Sequence, residues 1–130
     1  MNEPVWITEP EVLAIHDRQL TEHGGASGLR DPGLLGSALA RPQQFFAYGD
    51  PDTATLAAAY TAGIVRNHPF VDGNKRTGFV IGILFLELNG HRFTASEADA
   101  TQAVLSLAAG EMTEETFIAW LRNNSEADEA

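Results

Sequence analysis

The chain of 130 residues contains no cysteine. Without thiols it forms neither a disulfide framework nor a cysteine-ligated zinc site, and this composition fits a reducing compartment. Long apolar runs are also missing, because residues 79–88 are interrupted by a glycine and a glutamate and are too short to span a bilayer. Residues 1–11 carry no basic segment followed by an apolar one, so no secretion signal is indicated. These absences predict a cytoplasmic protein without a membrane segment.

Positive charge is scarce as well. Eight Lys and Arg residues stand against 18 Asp and Glu residues, which gives a formal net charge of −10. A chain of this charge repels phosphate backbones overall, which argues against a protein whose main activity is binding nucleic acid. The acidic residues are spread along the chain, as in a solubilising surface. The positions of the few cations are therefore more informative than the total charge.

What the sequence does contain is a succession of helix signals. Hydrophobic residues make up 44% of the chain, which is enough for one domain with an ordinary core. Capping residues precede apolar segments with helical spacing, and Pro42 is expected to end the second helix. We predict helices from 8 to about 23, over 34–40, over about 53–67, over 74–88, from 94 to about 109 and from 113 to 123.

The fourth predicted helix is apolar nearly all round, which is typical of a helix at the centre of a bundle. Residues 91–94 are the one segment that could be extended, and the sequence has no internal repeat. We therefore predict an all-α fold, a compact single-domain bundle of about six helices around one central buried helix, over residues 1–124. Residues 125–130 are predicted to be an acidic, disordered tail.

Two connecting segments need interpretation. Residues 43–52 form a predicted loop that carries Phe45, Phe46 and Tyr48. These aromatic side chains either dock a partner or fold back on the core, and the sequence favours neither. The glycine-rich segment 24–28 is interpreted as a helix stop and flexible connection, because it lacks the Lys-Ser/Thr pair and the strand of a phosphate-binding loop.

Residues 68–77, His-Pro-Phe-Val-Asp-Gly-Asn-Lys-Arg-Thr, combine several reactive groups in one short segment. The segment is predicted to link two helices and to end at a helix N-terminus, where unpaired backbone amides favour an anion. Lys75, the only lysine of the chain, and Arg76 lie in the first helical turn, where the dipole itself would favour carboxylates. Gly73 lets a ligand approach the backbone closely. This pattern predicts an anion site.

His68 and Asp72 add two further groups to this segment. Asp72 is either the N-cap of the helix or a ligand of a Mg²⁺ ion shared with a polyphosphate. His68 precedes a proline, so we expect it at a helix end, pointing outward, where it can accept a hydroxyl proton near neutral pH. Together these groups indicate phosphoryl or nucleotidyl transfer. The plainer interpretation is a helix-to-helix turn with a surface histidine and an N-cap.

The segment resembles the signature of the Fic/Doc superfamily, His-Pro-Phe-x-Asp/Glu-Gly-Asn-x-Arg. Residues 28–31, 38–42 and 85–90 are similar to the Doc branch of that superfamily. The resemblance implies a helical bundle in which Phe70 is a buried anchor of the loop. It also implies a role for each matching residue: His68 as general base toward a hydroxyl of a target protein, Asp72 as Mg²⁺ ligand, and Gly73, Asn74, Lys75 and Arg76 as the groups that bind the phosphates of ATP.

Two departures from the Fic pattern bear on the reaction. Lys75 occupies a position that is usually glycine in AMP-transferring members, and Phe79 occupies the position of their second arginine. Both departures resemble Doc, in which the γ-phosphate faces the acceptor hydroxyl. The implied reaction is phosphorylation of a protein Ser or Thr, with elongation factor Tu as the target that Doc implies. The alternatives are transfer of AMP to a protein hydroxyl and a catalytically silent Doc-like binding module.

Control of such an enzyme is expected to come from outside the chain. The sequence has no inhibitory Ser/Thr-x-x-x-Glu-Gly/Asn segment. The resemblance therefore implies a toxin–antitoxin pair with a Phd-like antitoxin, whose disordered tail folds into a groove. Elsewhere, His16 and His23 are interpreted as surface histidines rather than a metal pair, because no third ligand is in view. Arg66 either contacts a partner or is a solvated arginine at a helix end.

Overall fold

The computed structural model describes residues 2–128 of the chain. This range forms six α-helices and two short strands: α1 (Glu9–His23), α2 (Pro32–Tyr48), α3 (Thr53–Asn67), α4 (Asn74–Leu88), β1 (His91–Phe93), α5 (Glu97–Ala108), α6 (Glu114–Asn123) and β2 (Ser125–Ala127). The predicted all-α, single-domain bundle of about six helices is confirmed. Within the described range, no helix has both the length and the apolar character needed to cross a membrane.

All helices except α4 begin at residues whose side chains form capping hydrogen bonds at the first turn. Thr8 and Glu11 form a capping box before α1. Side-chain oxygens accept a hydrogen bond from the third residue of the helix at four other starts: Asp31, Asp52, Ser96 and Thr113. The cap of α5 is Ser96, two residues later than the Thr94 cap that we predicted. Each such bond is worth about 1 kcal/mol, so the starts of these helices are specified locally.

The most buried helix is α3, in which twelve of 15 residues are buried, whereas seven of the 15 residues of α4 are buried. The prediction that α4 is the central helix is therefore wrong. The alanine-rich surface of α3 explains the difference, because small side chains allow neighbouring helices to approach it closely. At Gly63, for example, an added Cβ would lie 3.2 Å from the Ala38 Cα of α2.

Helices α3 and α4 pack through glycine. Thr61 Oγ1 donates a hydrogen bond of 2.8 Å to the carbonyl oxygen of Gly78. A Cβ at Gly82 would overlap Thr61 Oγ1 and would lie 3.2 Å from the carbonyl oxygen of Ala57. Because the contacts move down α3 as they move up α4, the two helices are antiparallel. The end of α3 and the start of α4 are consequently neighbours, and residues 68–73 join them.

Helix α2 is longer than we predicted. The sequence indicated a helix over 34–40 that ends before Pro42 and a loop over 43–52, but α2 continues through Pro42 to Tyr48. A proline in a helix interior removes one backbone hydrogen bond and costs about 3 kcal/mol. Apolar burial beyond the proline offsets this cost, which a local propensity rule does not take into account.

Two of the three aromatic residues in the second half of α2 fold back on the core. Phe46 packs edge-to-face on Trp6 with ring centroids 5.6 Å apart, and the guanidinium of Arg41 lies 4.9 Å from the ring centroid of Phe45. Both phenylalanines contact the buried core. Tyr48 is 91% exposed. The question left open by the sequence is thus answered in favour of the core for Phe45 and Phe46.

The chain forms a strand where we predicted a disordered tail over 125–130. Strands β1 and β2 pair antiparallel, with His91 opposite Ala127. The extended conformation expected at 91–94 is confirmed for β1. The backbone groups of β1 need partners, and β2 supplies them, which explains why a short polar segment is ordered here. Residues 129 and 130 of the predicted tail lie outside the described residues.

Asp52 connects the start of α3 to α6. Its Oδ1 atom accepts a hydrogen bond of 2.9 Å from the backbone of Thr55, and Arg122 Nε lies 2.7 Å from its Oδ2 atom. The hydrogen bond from Arg122 is the main cause that lowers the pKa of Asp52 to about 2, with the bonds from Thr55 acting in the same direction. Both side chains are about half exposed, so solvent screens their attraction.

We predict that Asp52→Asn, which retains a capping oxygen, lowers the free energy of unfolding at neutral pH by roughly 0.5–1 kcal/mol. Because the folded state lowers the pKa of Asp52, the advantage of the wild type is fully present above the ordinary carboxyl value of 3.8 and is lost as the pH falls through about 2. Urea unfolding of both proteins across this range measures the difference. A difference that does not change with pH would contradict the assignment.

Candidate functional site

The site lies on the loop of residues 68–73 and on the first turn of α4. His68 is the C-cap of α3 and has φ 54° and ψ 53°, the left-handed conformation. It is the one non-glycine residue with a positive φ between residues 2 and 128. This conformation ends the helix and turns the chain into Pro69. The side chain of His68 is exposed, as expected for a histidine at a helix end.

Arg30 holds the backbone of His68. Its Nε atom donates a hydrogen bond of 2.7 Å to the carbonyl oxygen of His68, and its Nη2 atom donates one of 3.0 Å to the carbonyl oxygen of Asn67. A cationic donor at these last carbonyl groups is also favoured by the helix dipole. The backbone position of His68 is therefore fixed from a distant part of the chain.

Residues 24–31, which we call the covering segment, run alongside the loop. Three backbone hydrogen bonds join the two: Val71 N to Gly28 O at 3.0 Å, Arg30 N to Pro69 O at 2.7 Å and Asp31 N to Pro69 O at 3.0 Å. The interpretation of the glycines as a helix stop is confirmed at Gly24, which is the C-cap of α1. The pairing with the loop was not foreseen, because nothing local in the sequence signals a partner so far along the chain.

Two backbone amides orient the carboxylate of Asp72. Its Oδ1 atom accepts a hydrogen bond of 2.8 Å from Gly73 N, and its Oδ2 atom accepts one of 3.2 Å from Ala26 N. These bonds, that of Gly73 first, lower the pKa of Asp72, and the charges of Arg76 and Lys75 act in the same direction. The group is thus an exposed, ionised carboxylate of defined orientation at neutral pH.

The N-cap of α4 is Gly73, with φ 81° and ψ 15°, a conformation that suits glycine. Asp72 precedes the cap, so the plainer interpretation of Asp72 as the N-cap is wrong. Among residues 2–128, no side chain accepts a hydrogen bond from the first turn of α4. Lys75 and Arg76 are exposed in that turn. The unpaired amides, the positive end of the dipole and the two cations therefore coincide at one point of the surface.

Lys75 and Arg76 also line a groove of about 640 Å³ between α1, α4 and α5. Its other polar lining residues are Gln19, His23, Thr101 and the acidic Glu97, and its apolar lining includes Phe79, Val80, Val104 and Leu105. The groove joins an apolar channel to the cationic start of α4. It can accommodate a ligand or chain segment with an apolar face and negative charge.

Asn74 closes the loop on itself. Its Oδ1 atom accepts a hydrogen bond of 2.9 Å from Phe70 N, and its Nδ2 atom donates one of 2.9 Å to Phe70 O. Asn74 is 3% exposed, and Phe70 is 1% exposed, as expected for an anchor of the loop. The side chain of Asn74 is thus committed to the backbone of Phe70. Among its polar groups, only the backbone N–H can be offered to an anion.

His16 is a site residue that the sequence analysis missed. We predicted a surface histidine, but His16 is 3% exposed, and its ring stacks on Phe70 at a centroid distance of 3.7 Å and an interplanar angle of 9°. Its Nε2 atom lies 2.8 Å from the carbonyl oxygen of Asp72. The signal that could have found it is helical spacing, because His16 shares the buried face of α1 with Val12 and Gln19.

Arg66 is not the simply solvated arginine that was one of the two interpretations from the sequence, and contact with a partner stays a prediction. Its Nη1 atom lies 2.9 Å from Glu114 Oε1, and Arg41 Nη2 lies 2.7 Å from the same oxygen. The side chain of Glu114 is 13% exposed. Arg66 therefore links α3 to α2 and α6 through a shared, largely buried carboxylate.

The donor set at the loop limits the kind of metal site it can form. In residues 2–128 no three His, Asp or Glu side chains converge as a metal cluster. Mg²⁺ retains several waters and is commonly bound through one or two carboxylates together with substrate phosphates. One exposed, oriented carboxylate at Asp72 beside an anion site fits a Mg²⁺ ion that is shared with a polyphosphate. It does not fit a metal held by protein ligands alone.

A family model described as the Fic/DOC family matches residues 6–86, which include the covering segment and the whole loop. The chain belongs to the Fic/DOC family. The protein kinase doc of Escherichia phage P1 is 36% identical to it over 85 residues, which are 65% of this chain and 68% of that protein. Toxin Doc of Mycolicibacterium smegmatis is 43% identical over 74 residues, which are 55% of this chain and 57% of that protein. The resemblance to the Doc branch is thereby confirmed.

The hydrogen bond from Ala26 to Asp72 depends on a glycine. Gly25 has φ +122°, and a Cβ there would lie 2.8 Å from Asp72 Oδ2. Gly24 has φ +79°, but a Cβ at that position would meet no heavy atom within 4 Å. An alanine at either position would be strained, because both glycines have a positive φ. Only the alanine at position 25 would also contact the carboxylate of Asp72.

We predict that Gly25→Ala displaces the Asp72 carboxylate from Ala26 N and raises the pKa of Asp72 towards its usual value of 3.8. Gly24→Ala imposes similar strain without the contact and should leave the pKa of Asp72 near that of the wild type. Titration of the Asp72 carboxyl carbon by NMR measures both. Equal pKa values in the two variants would show that Gly25 does not control the carboxylate.

We also predict that Asn74→Ala lowers the free energy of unfolding by about 2–3 kcal/mol, because it leaves the buried N–H and C=O of Phe70 without partners. Asn123→Ala, at an exposed position in α6, should change it by less than about 0.5 kcal/mol. Urea denaturation at neutral pH compares the two. A loss in Asn74→Ala as small as that of the control would mean that the clamp contributes little.

Proposed function

We propose that the protein is a toxin of the Doc type that transfers the γ-phosphate of ATP to a Ser or Thr hydroxyl of a target protein. The observation that carries this proposal is the loop of residues 68–73, which presents His68 and Asp72 beside a cationic helix start whose N-cap, Gly73, has no side chain. The similarity to a protein kinase and to a toxin supports it.

In this proposal the start of α4 binds the phosphates. Its first-turn amides supply hydrogen bonds, and Lys75 and Arg76 supply two full charges against the polyphosphate. Gly73 contributes its backbone, in a left-handed conformation that glycine adopts readily. Asn74 contributes through its backbone N–H, since its side chain is bound to Phe70.

Asp72 is the carboxylate that would hold Mg²⁺ together with the phosphates. When bound, the ion would supply positive charge that offsets the negative charge of the phosphates during transfer. The amides of Gly73 and Ala26 keep the Asp72 carboxylate ionised and oriented before any ligand arrives. The pre-oriented carboxylate reduces the ordering that binding requires.

His68 acts as the general base. The hydroxyl oxygen of the target forms a bond to the γ-phosphorus, the bond between that phosphorus and the bridging oxygen of ADP breaks, and the hydroxyl proton passes to the imidazole of His68. The exposed side chain is accessible to a protein substrate. The hydrogen bond from Arg30 holds the backbone of His68, so the imidazole projects from a fixed position of the main chain.

Lys75 and Phe79 favour transfer of the γ-phosphate over transfer of AMP. Phe79 lies in the groove and packs edge-to-face on Phe93 with ring centroids 5.6 Å apart. A phenylalanine held in this way offers no charge to a terminal phosphate, whereas an arginine at this position would. This feature supports a nucleotide orientation in which the γ-phosphate faces the acceptor.

The proposal extends to two partners, both implied by the resemblance to Doc. Elongation factor Tu is the proposed target, which places the activity in the cytoplasm. A Phd-like antitoxin is the proposed inhibitor, with a disordered tail that folds into the groove between α1, α4 and α5. An amphipathic helix fits a groove of this kind, and because Lys75 and Arg76 line it, an occupant would also cover the phosphate-binding groups.

We predict that the protein labels elongation factor Tu, or a protein of a cell lysate, from ATP that carries the label on the γ-phosphate and not on the α-phosphate. His68→Ala should lower this transfer at least ~100-fold, because a positioned general base contributes that much or more. His91→Ala, in β1 away from the loop, is the matched control and should retain activity.

The same experiment discriminates the alternatives. Label from the α-phosphate would replace the kinase proposal with AMP transfer. The absence of label from either phosphate, with folding verified by circular dichroism, would favour a binding module without catalysis. Unchanged transfer by His68→Ala would overturn the assignment of the base.

A further inference from the structure

We propose that His16 of α1 is a positioning residue of the transfer site, which holds the backbone of Asp72 so that its carboxylate meets magnesium-bound nucleotide in one orientation. The nucleotide part of this inference rests on the proposed function. The geometric part rests on contacts of His16 with Phe70, Asp72 and Gly73, and it can be tested without any nucleotide.

The hydrogen bond to Asp72 indicates a hydrogen on the Nε2 atom of His16. The carbonyl oxygen of Asp72 can only accept, so the Nε2 atom of His16, 2.8 Å away, carries the hydrogen and donates it. His16 lies in helix α1, which supports the donor more rigidly than a loop would. A polar side chain that is 3% exposed has been desolvated at a cost that this bond offsets.

His16 contacts the loop at two residues, Phe70 and Asp72. Its ring lies flat on Phe70, at 3.7 Å and 9°, while its Nε2 atom binds the carbonyl oxygen two residues later. Phe70 is itself clamped by the side chain of Asn74. The position of the Asp72 carbonyl is thus tied through His16 to a residue that cannot move independently of α4.

The side of Gly73 on which a Cβ would stand faces the same histidine. A Cβ at Gly73 would lie 3.6 Å from His16 Nε2 and 3.7 Å from His16 Cδ2. His16 therefore lies behind both residues that precede the helix start. A displacement of this ring would move Asp72 and Gly73 together.

A purely structural role would not require a donor at this place, since an aromatic hydrocarbon ring would stack on Phe70 as well. The donor matters because the carboxylate of Asp72 is exposed, and its contact with Ala26 N is long, at 3.2 Å. The other hydrogen bond, of 2.8 Å, comes from Gly73 N, the next residue of the same backbone, so the direction of the carboxylate follows that backbone. His16 sets that backbone.

Two substitutions separate the ring from the donor. His16→Phe retains the stacking on Phe70 and removes the hydrogen bond to Asp72. His16→Gln removes the ring and places an amide nitrogen close to the position of Nε2. His91→Gln is the matched control, because His91 lies in β1, where it pairs with Ala127 of β2.

The measurement is the affinity for ATP by titration calorimetry, once with Mg²⁺ and once with EDTA. Loss of a group that orients a metal ligand commonly weakens metal binding by 10–100-fold, so we expect His16→Phe to weaken binding of magnesium-bound ATP about tenfold. ATP with EDTA should bind with nearly unchanged affinity. His16→Gln should restore most of the loss, and His91→Gln should behave as the wild type.

A double-substitution cycle tests whether His16 acts through Asp72. In an Asp72→Asn background, His16→Phe should cause little further loss of affinity, because the carboxylate that it positions is already gone. Additive losses would overturn the proposal. A lower melting temperature of His16→Phe with undiminished affinity for magnesium-bound ATP would also overturn it and assign His16 to stability alone.

Hydrogen exchange gives a readout that does not depend on the proposed function. If the wild type fails to bind magnesium-bound ATP, the proposed transfer reaction fails, and the amides of Gly73 and Ala26 still report on the carboxylate that they bind. The positioning role is supported if both amides exchange at least several-fold faster in His16→Phe than in the wild type and in His91→Gln. Exchange unchanged at these two amides would overturn it.

Discussion

The close approach of α3 and α4 is the constraint on which the rest of the site depends. Thr61 lies directly against Gly78 and Gly82, and no larger residue fits at Gly82 without displacing it. This contact fixes how far apart the end of one helix and the start of the next can be. The six-residue loop between them has to close within that distance, and its conformation follows from this requirement.

Within the loop, the residues that hold the backbone are different from those that face solvent. Asn74, His16 and Arg30 each bind backbone groups of the loop or of the helix end before it. His68 and Asp72 keep exposed side chains on that fixed frame. Such a division is physically reasonable, because a side chain used to lock a turn has few hydrogen-bonding groups left for a ligand.

Sequence reasoning succeeded where the determining forces are local. The capping box at Thr8, the concentration of reactive groups over 68–77 and the all-α class all follow from residue type and spacing. It failed where packing decides: α2 passes through Pro42 because Phe45 and Phe46 beyond it pack against the core, and α3 is central because its side chains are small. His16 was missed for the same reason, since only the packed structure reveals its partner on another element.

The bond between Ala26 and Asp72 spans 46 positions of the chain, and the one between Arg30 and His68 spans 38. The reactive groups are contiguous in sequence, but their geometry is built from contacts of high sequence separation. Such contacts close late in folding, since each must overcome the entropy of a long loop. A partly folded chain, or a peptide of the motif alone, would therefore carry every reactive side chain and none of the arrangement that makes them a site.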